Sequence, residues 1–328
     1  MKTTKKCLTR LFGFLVIFAL LFAAVPTTAT AAPAATGIHV MYRSQSEIRK
    51  FVKSHKFNIN SRVKMSKNAS VKPPYALGSV SKASLKDGLN ALNTMRYIAG
   101  IPANVKLDST YTKKCQAATL VNAANQELSH YPAKPNGMTD SMYKLGKEGA
   151  GSSNLAWASW QTSLSFSVVR QWMEDGDSYN IDRVGHRRWI LNPSMKKTGF
   201  GFTNGYSAMY AFDSFYAATA YYGVAWPAQN MPVEYFDSEY PWTISMGEAI
   251  QNTAKVKVTL KRQSDGKTWR FSEKSANGYF NIDNAGYGRS GCIIFRPNNI
   301  SYKAGDTFRV TITGLKEKVS YQVKFFSL

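Results

Sequence analysis

Gly199-Phe200-Gly201-Phe202-Thr203-Asn204-Gly205-Tyr206-Ser207-Ala208-Met209-Tyr210 sets Asn-Gly between two apolar, aromatic-rich runs. That is the signature of a two-residue type I′ hairpin, because both central residues need positive φ. Helical patterns precede it. Ser84-Leu85-Lys86-Asp87 reads as a capping box, with Leu85, Leu89 and Leu92 at helical spacing behind it and Gly100 and Pro102 as the stop. A second helix is expected after Asp108. Ala117, Val121, Ala124 and Leu128 form one apolar stripe and Tyr111, Cys115 and Ala118 another, so it should pack on two sides and deliver His130 at its end. A third is expected over Leu164–Asp175. At about 100° per residue Asp175 falls about 20° from Leu164, on the apolar stripe, and Glu174 at about −80°. A carboxyl group turned inward needs a partner or stays protonated, which singles out Asp175. Helices closed by a hairpin predict an α+β domain ending near Tyr222.

Past that point the period changes from helical to alternating. Val256, Val258 and Leu260, then Phe308, Val310 and Ile312, then Tyr321, Val323 and Phe325 alternate, with turns expected at Asp265-Gly266 and Gly305-Asp306. Short strands at this spacing predict an all-β sandwich over 223–328, with Trp226-Pro227 to Pro232 as linker or first edge strand. Upstream, residues 32–82 hold one short helical candidate, Ser46 to Ser54. A Ser/Lys/Asn/Pro-rich run through Pro73-Pro74 reads as a linker to a domain at 83–222.

The first thirty-one residues read as a secretory signal. Lys2, Lys5, Lys6 and Arg10 precede the apolar run Leu11 to Val25, and Ala29-Thr30-Ala31 supplies the cleavage pattern. That run is short for a membrane span and no later stretch approaches one. The chain has 42 Lys plus Arg against 20 Asp plus Glu, for a net charge of +22. Residues 32–82 hold ten of those cations and one acid, Glu47. In an exported protein such a segment suits an anionic cell-wall polymer or lipid headgroups, and export argues against nucleic acid; a merely solvated basic arm is the alternative. With Cys7 in the signal, Cys115 and Cys292 remain. They form no disulfide framework or metal spacing and read as buried free thiols.

The sequence contains no G-x-S-x-G, P-loop, G-x-G-x-x-G before a helix or H-E-x-x-H. What stands out instead is Asn93-Thr94-Met95-Arg96, Leu128-Ser129-His130, Ser153-Asn154-Leu155-Ala156, Trp172-Met173-Glu174-Asp175, Val184-Gly185-His186 and Gly199-Phe200-Gly201. In this order they resemble the CAP superfamily (SCP domain) of cysteine-rich secretory, antigen-five and pathogenesis-related proteins. The likeness covers about 85–222. Gly185-His-Arg-Arg-Trp-Ile-Leu-Asn-Pro193 looks like its bacterial secreted branch, and the strand region resembles the Ig-like module that sometimes follows. The resemblance implies an α-β-α sandwich with a central cleft where two His and two acids hold a divalent cation. Carried over, these are His130, His186 and Asp175, while the acid of the family's Gly-Glu-Asn pattern falls on Ser153, which cannot act as a carboxylate base.

Two imidazoles and a carboxylate suit Zn²⁺ with water in an open position. A metal-free network in which Asp175 orients a histidine is equally coherent. Ser153 and Asn154 are expected to line the cleft, Asn154 tying a loop to backbone. Arg187 and Arg188 read as a rim anion contact or as surface salt bridges, Trp172 and Trp189 as core aromatics. Tyr206 to Tyr222 reads as sandwich core or as a groove lining. Three functions follow. One is a secreted, non-enzymatic protein binding a wall polymer, lipid headgroup or extracellular protein at the cell envelope. Another is a zinc-assisted, peptidase-like hydrolase using His130, His186 and Asp175. The third, implied by eukaryotic relatives of the family, is a lipid-binding protein.

Overall fold

Ser44 caps helix α1 (Gln45–Ser54) with a capping box. Its hydroxyl accepts from Glu47 N, and the Glu47 carboxylate accepts from Ser44 N at 2.7 Å. The computed structural model describes residues 37–159, 162–213 and 221–328. The signal sequence expected at 1–31 and part of the Tyr206–Tyr222 run lie outside the described residues. No described helix is long and apolar enough to cross a membrane.

Helix α2 (Lys82–Ile98) is capped by Ser81 and not, as expected, by Ser84. The reason lies in the segment expected to be a linker. Residues 56–64 run alongside α2, so the Ser84 hydroxyl accepts from Lys64 N at 2.9 Å and Asp87 accepts from Asn58 N at 2.8 Å. Ile38, Ile48 and Val80 from this segment enter the main core.

Helix α3 (Ser109–Asn125) is capped by Asp108 and ends at Gln126 in the left-handed region, φ 55°. His130 therefore sits in the loop beyond α3 rather than on it. Both apolar sides of α3 are used. On one lies α4 (Asp140–Gly151), a helix that the sequence reading did not place. A Cβ at Gly146 would come within 2.8 Å of Ala117 O, and one at Gly149 within 2.1 Å of Lys114 O, so the helices meet backbone to backbone. On the other lies the expected hairpin, strands Phe200–Thr203 and Tyr206–Tyr210 turning through Asn204 (φ 48°) and Gly205 (φ 89°). Strand Ser153–Trp157 pairs antiparallel with the second hairpin strand.

Alternation along the first hairpin strand then builds the layers. Gly199 and Gly201 turn toward α3, where a Cβ would lie 2.1 Å from Thr112 N or 2.3 Å from Cys115 C. Phe200 turns the other way, toward Gly88 of α2. The sheet is thus sandwiched between helices, an α-β-α arrangement.

The third helix differs from its expected form. It runs as α5 (Leu164–Phe166), continues with π-helical turns over Ser167–Trp172, and stops before Asp175, which has φ 46°. Wider turns change the phase, so wheel arithmetic fails here. Asp175 is nevertheless 1% exposed, because the chain folds it under α6 (Gly185–Ile190).

From Val224 to Phe326 the described chain forms strands without an α-helix. One sheet orders Gly278–Asp283, Cys292–Pro297, Trp242–Ser245 and Val224–Trp226. The other orders Ser275–Ala276, Thr268–Ser272, Lys257–Arg262, Thr307–Thr313, Val319–Phe326 and Asn230–Pro232. The stretch from Trp226 to Pro232 steps from the edge of the first sheet to the edge of the second. Trp242 joins the sheets, with ring centroids 5.8 Å from Phe295 and 5.7 Å from Phe308. The described residues belong to one compact unit, and its main hydrophobic core runs from Ile38 through Trp172 to Phe326.

Candidate functional site

Val184 sets the geometry. It is a buried β-branched residue at φ 44°, a conformation that costs roughly 1–3 kcal/mol, and it packs in a small cluster with Cys292 and Ile294. From there the chain enters α6, and the Arg187 backbone N–H donates to Asp175 Oδ2 at 2.8 Å. Asp175 Oδ1 accepts from His186 Nδ1 at 2.7 Å. Each oxygen of this carboxylate thus has a partner, and Asp175 is not among the cleft-lining residues. It orients His186 from behind the ring.

His130 is oriented in the same manner by another element. Its Nδ1 donates to Ala150 O in the last turn of α4 at 2.8 Å. With both Nδ1 atoms donating, Nε2 is the acceptor of each ring in its neutral form. The two rings belong to one cleft of about 700 Å³, within the usual range for small-molecule sites. Asn154 is 1% exposed and donates to His186 O at 2.9 Å, fixing the first turn of α6. Ser153, also in the cleft wall, lies 3.5 Å from Cys115 Sγ. Burial pushes the Cys115 thiol up to about 12, so it is held protonated. Cys115 and Cys292 are both free and buried.

Arg187 and Arg188 are neither rim contacts nor surface bridges. Their exposures are 0% and 3%. Arg187 donates to Met173 O at 2.8 Å, to Pro241 O at 2.5 Å and to Glu174 O. Arg188 donates to Arg183 O at 3.0 Å, Arg289 O at 2.6 Å, Ala285 O and the Asp283 carboxylate. These guanidiniums stitch the cleft loops to the strand region, which the planar five-donor fork suits. Burial lowers Arg187 to about 10, so it stays charged at neutral pH. Arg96 does similar work, donating to Ile190 O and Asn192 O, both at 2.7 Å, behind α6.

Several cleft residues were not singled out from sequence. Asp177, Tyr179, Asn180 and Arg183 come from the loop between Asp175 and α6, and Tyr131 follows His130 directly. Adjacency to a named histidine was the available signal for Tyr131. Tyr287 had no such signal, since it arrives from the strand region. Its ring lies against Gly185, where a Cβ would come within 3.1 Å, and its centroid is 6.3 Å from that of Trp189. Trp172 is core, fully buried, whereas Trp189 faces the cleft at 8% exposure.

Desolvation by the cleft walls holds the His130 imidazole below its ordinary 6.5, with the Ala150 bond opposing and His186 and Arg183 reinforcing. The residue keeps an exposed edge, so water screens the effect. Because the folded value is depressed, the stabilisation belongs to the neutral ring. It is present above 6.5 and is lost as pH falls through the folded value. Urea midpoints measured from neutral to mildly acidic pH should therefore fall further in the wild type than in His130→Gln. Parallel pH profiles for the two proteins would refute this.

An α-β-α sandwich with two imidazoles lining an open cleft, continued by a β-rich region, is the class that the geometry defines. Residues 89–222 match the CAP family, described as the cysteine-rich secretory protein family, and this stretch is a CAP domain. No curated protein matches the chain.

Proposed function

We propose that the protein is a secreted, non-enzymatic binding protein of the cell envelope, held by a basic surface and presenting the His-lined cleft, with the strand region as an Ig-like module. The observation that carries this reading is the commitment of Asp175. Its oxygens serve His186 and the Arg187 amide, Ser153 replaces the second acid, and the Cys115 thiol is buried and protonated. Among the described residues the cleft thus presents oriented acceptors beside neither an activated nucleophile nor an uncommitted carboxylate pair.

The basic surface has a structural origin. Asn90 donates to Lys56 O, and Lys64 and Ser84 bond as described, so residues 56–64 lie beside Lys82 and Lys86, one turn apart on α2. Lys53, Lys56, Lys64, Lys82 and Lys86 are all exposed. Asp87, the acid among them, is occupied by Asn58 N and Ser165 N. Such a face attracts anionic polymers through a screened field. The expected result is co-sedimentation of the protein with bead-bound polyglycerol phosphate at low ionic strength, released at high ionic strength. Changing Lys56, Lys64, Lys82 and Lys86 to Gln should weaken it strongly. Retention indifferent to both salt and substitution would sink the reading.

A second reading, the zinc-assisted hydrolase, is favoured by the two Nδ1 bonds, since outer-shell acceptors of this kind orient metal-binding histidines. Zinc on the two Nε2 atoms would supply a polarised water. The donor set fits only in part. Among the described residues no three His, Cys, Asp or Glu side chains converge on a point, whereas catalytic zinc has three protein ligands. Calorimetric titration with zinc should accordingly show weak binding at most. Tight stoichiometric binding, abolished in a His130→Ala/His186→Ala double variant, would favour the hydrolase instead.

A further inference from the structure

The two most exposed large apolar side chains among the described residues, Tyr131 at 84% and Tyr179 at 83%, both line the cleft. Leu128 (48%) and Phe212 (41%) line it too. Large apolar side chains left in water are ordinary when scattered, but four of them around one concavity mark a contact surface. The tyrosines come from different loops, one beyond α3 and the other ahead of α6, and polar residues lie among them: Ser129, His130, Asn180 and His186.

Charge narrows the ligand. The chain carries +22, yet the cleft is lined by one arginine, Arg183, and one carboxylate, Asp177, with Asp175 bonded behind His186. Arg183 is itself paired with Asp182 at 3.0 Å. A phosphate-rich chain would find its complement on the lysine face, not here. Nor does the cleft suit an acyl tail, since rings more than four-fifths in water enclose nothing and imidazole, hydroxyl and amide groups interrupt the apolar surface. What matches is a ligand with flat apolar faces and a hydroxylated edge.

We infer that the cleft binds an uncharged oligosaccharide, its pyranose faces stacked on Tyr131 and Tyr179 and its hydroxyls donating to the His130 and His186 Nε2 atoms. This rests on the binding-protein reading above and names the ligand class of its cleft. Tyr287, against Gly185 and Trp189, makes the strand region part of the same wall.

The test is calorimetric titration of the full chain with two neutral probes, the β-1,4-linked tetramers of N-acetylglucosamine and of glucose. At least one should bind with little dependence on salt. Tyr131→Ala and Tyr179→Ala should each weaken that binding by about tenfold, in keeping with loss of one aromatic stacking contact. Both positions are exposed, so thermal melting should confirm that the variants fold. Binding of neither tetramer, or binding that both variants retain, would overturn the inference. If polyglycerol phosphate still binds the lysine face in that case, the envelope reading survives and only the glycan assignment falls. If it does not, both fall.

Discussion

Replacing Arg187 by alanine is expected to be among the most damaging single changes to this protein. The guanidinium is fully buried and holds Met173 O, Glu174 O and Pro241 O, while Thr243 Oγ1 lies 3.4 Å away. Alanine would strand three carbonyls, two of them in buried bonds, and leave a cavity. At about 1–3 kcal/mol per unsatisfied buried group, a loss of about 4 kcal/mol or more is expected. Thermal melting should fall by about 6 °C or more, since a chain of 328 residues shifts by about 1.5 °C per kcal/mol. Arg187→Lys should recover little, because one ammonium cannot span acceptors on two sides of a planar fork. A melting point within about 2 °C of wild type would show that the joint carries no such weight. The same change should loosen the Asp175 loop, since Met173 and Glu174 are anchored here.

Gly201→Val is expected to rival it by a different mechanism. Any Cβ at this position would lie 2.3 Å from Cys115 C and 2.4 Å from Cys115 O, backbone atoms of α3 that no rotamer can move aside. Helix and sheet would have to separate along their length. Overpacking usually costs about 1–3 kcal/mol, and a clash against backbone belongs at or above the top of that range. Urea denaturation should show a greatly reduced midpoint or no cooperative transition. Gly305→Ala is the control, with φ 94° and nothing within 4 Å, and should cost only about 1 kcal/mol of backbone strain. Equal losses at Gly201 and Gly305 would refute the close-approach argument.

These two positions show how unevenly the molecule can be read from its residues. Asn204-Gly205 identified the hairpin because positive φ at two successive positions is a local demand that few residue pairs meet. The alternating strands past Val256 were legible for a similar reason, since period two depends only on which face meets the core. Ser81 against Ser84 could not be decided locally. Both serines suit a cap, and the choice was made by residues 56–64, which claimed Ser84 and Asp87 for their own backbone. Helix α4 escaped notice because Gly146 and Gly149, poor helix formers, are there to let α3 approach.

The site divides along the same line. His130, His186 and Asp175 were drawn out by residue type and by resemblance, and burial of Asp175 was anticipated. The wheel that predicted that burial nevertheless assumed a regular helix, and the real carboxylate is buried by a π-helical phase shift followed by a left-handed turn. Arg187 and Arg188 looked like surface charges because nothing nearby in sequence announces Pro241, Asp283 or Arg289 as partners.

What the sequence alone determined, then, is the α+β character, the hairpin, the alternating strands past Val256, the buried thiols and, with the help of resemblance, the histidines worth attention. Those follow from short-range rules of dihedral preference, periodicity and chemistry. Only tertiary structure decided that Asp175 orients His186 instead of lining the cleft, that arginines bind the loops to the strand region, and that Tyr287 stands beside Trp189. Each of these joins groups separated by long stretches of chain, and such pairs are selected by packing and by the need to satisfy buried polar atoms.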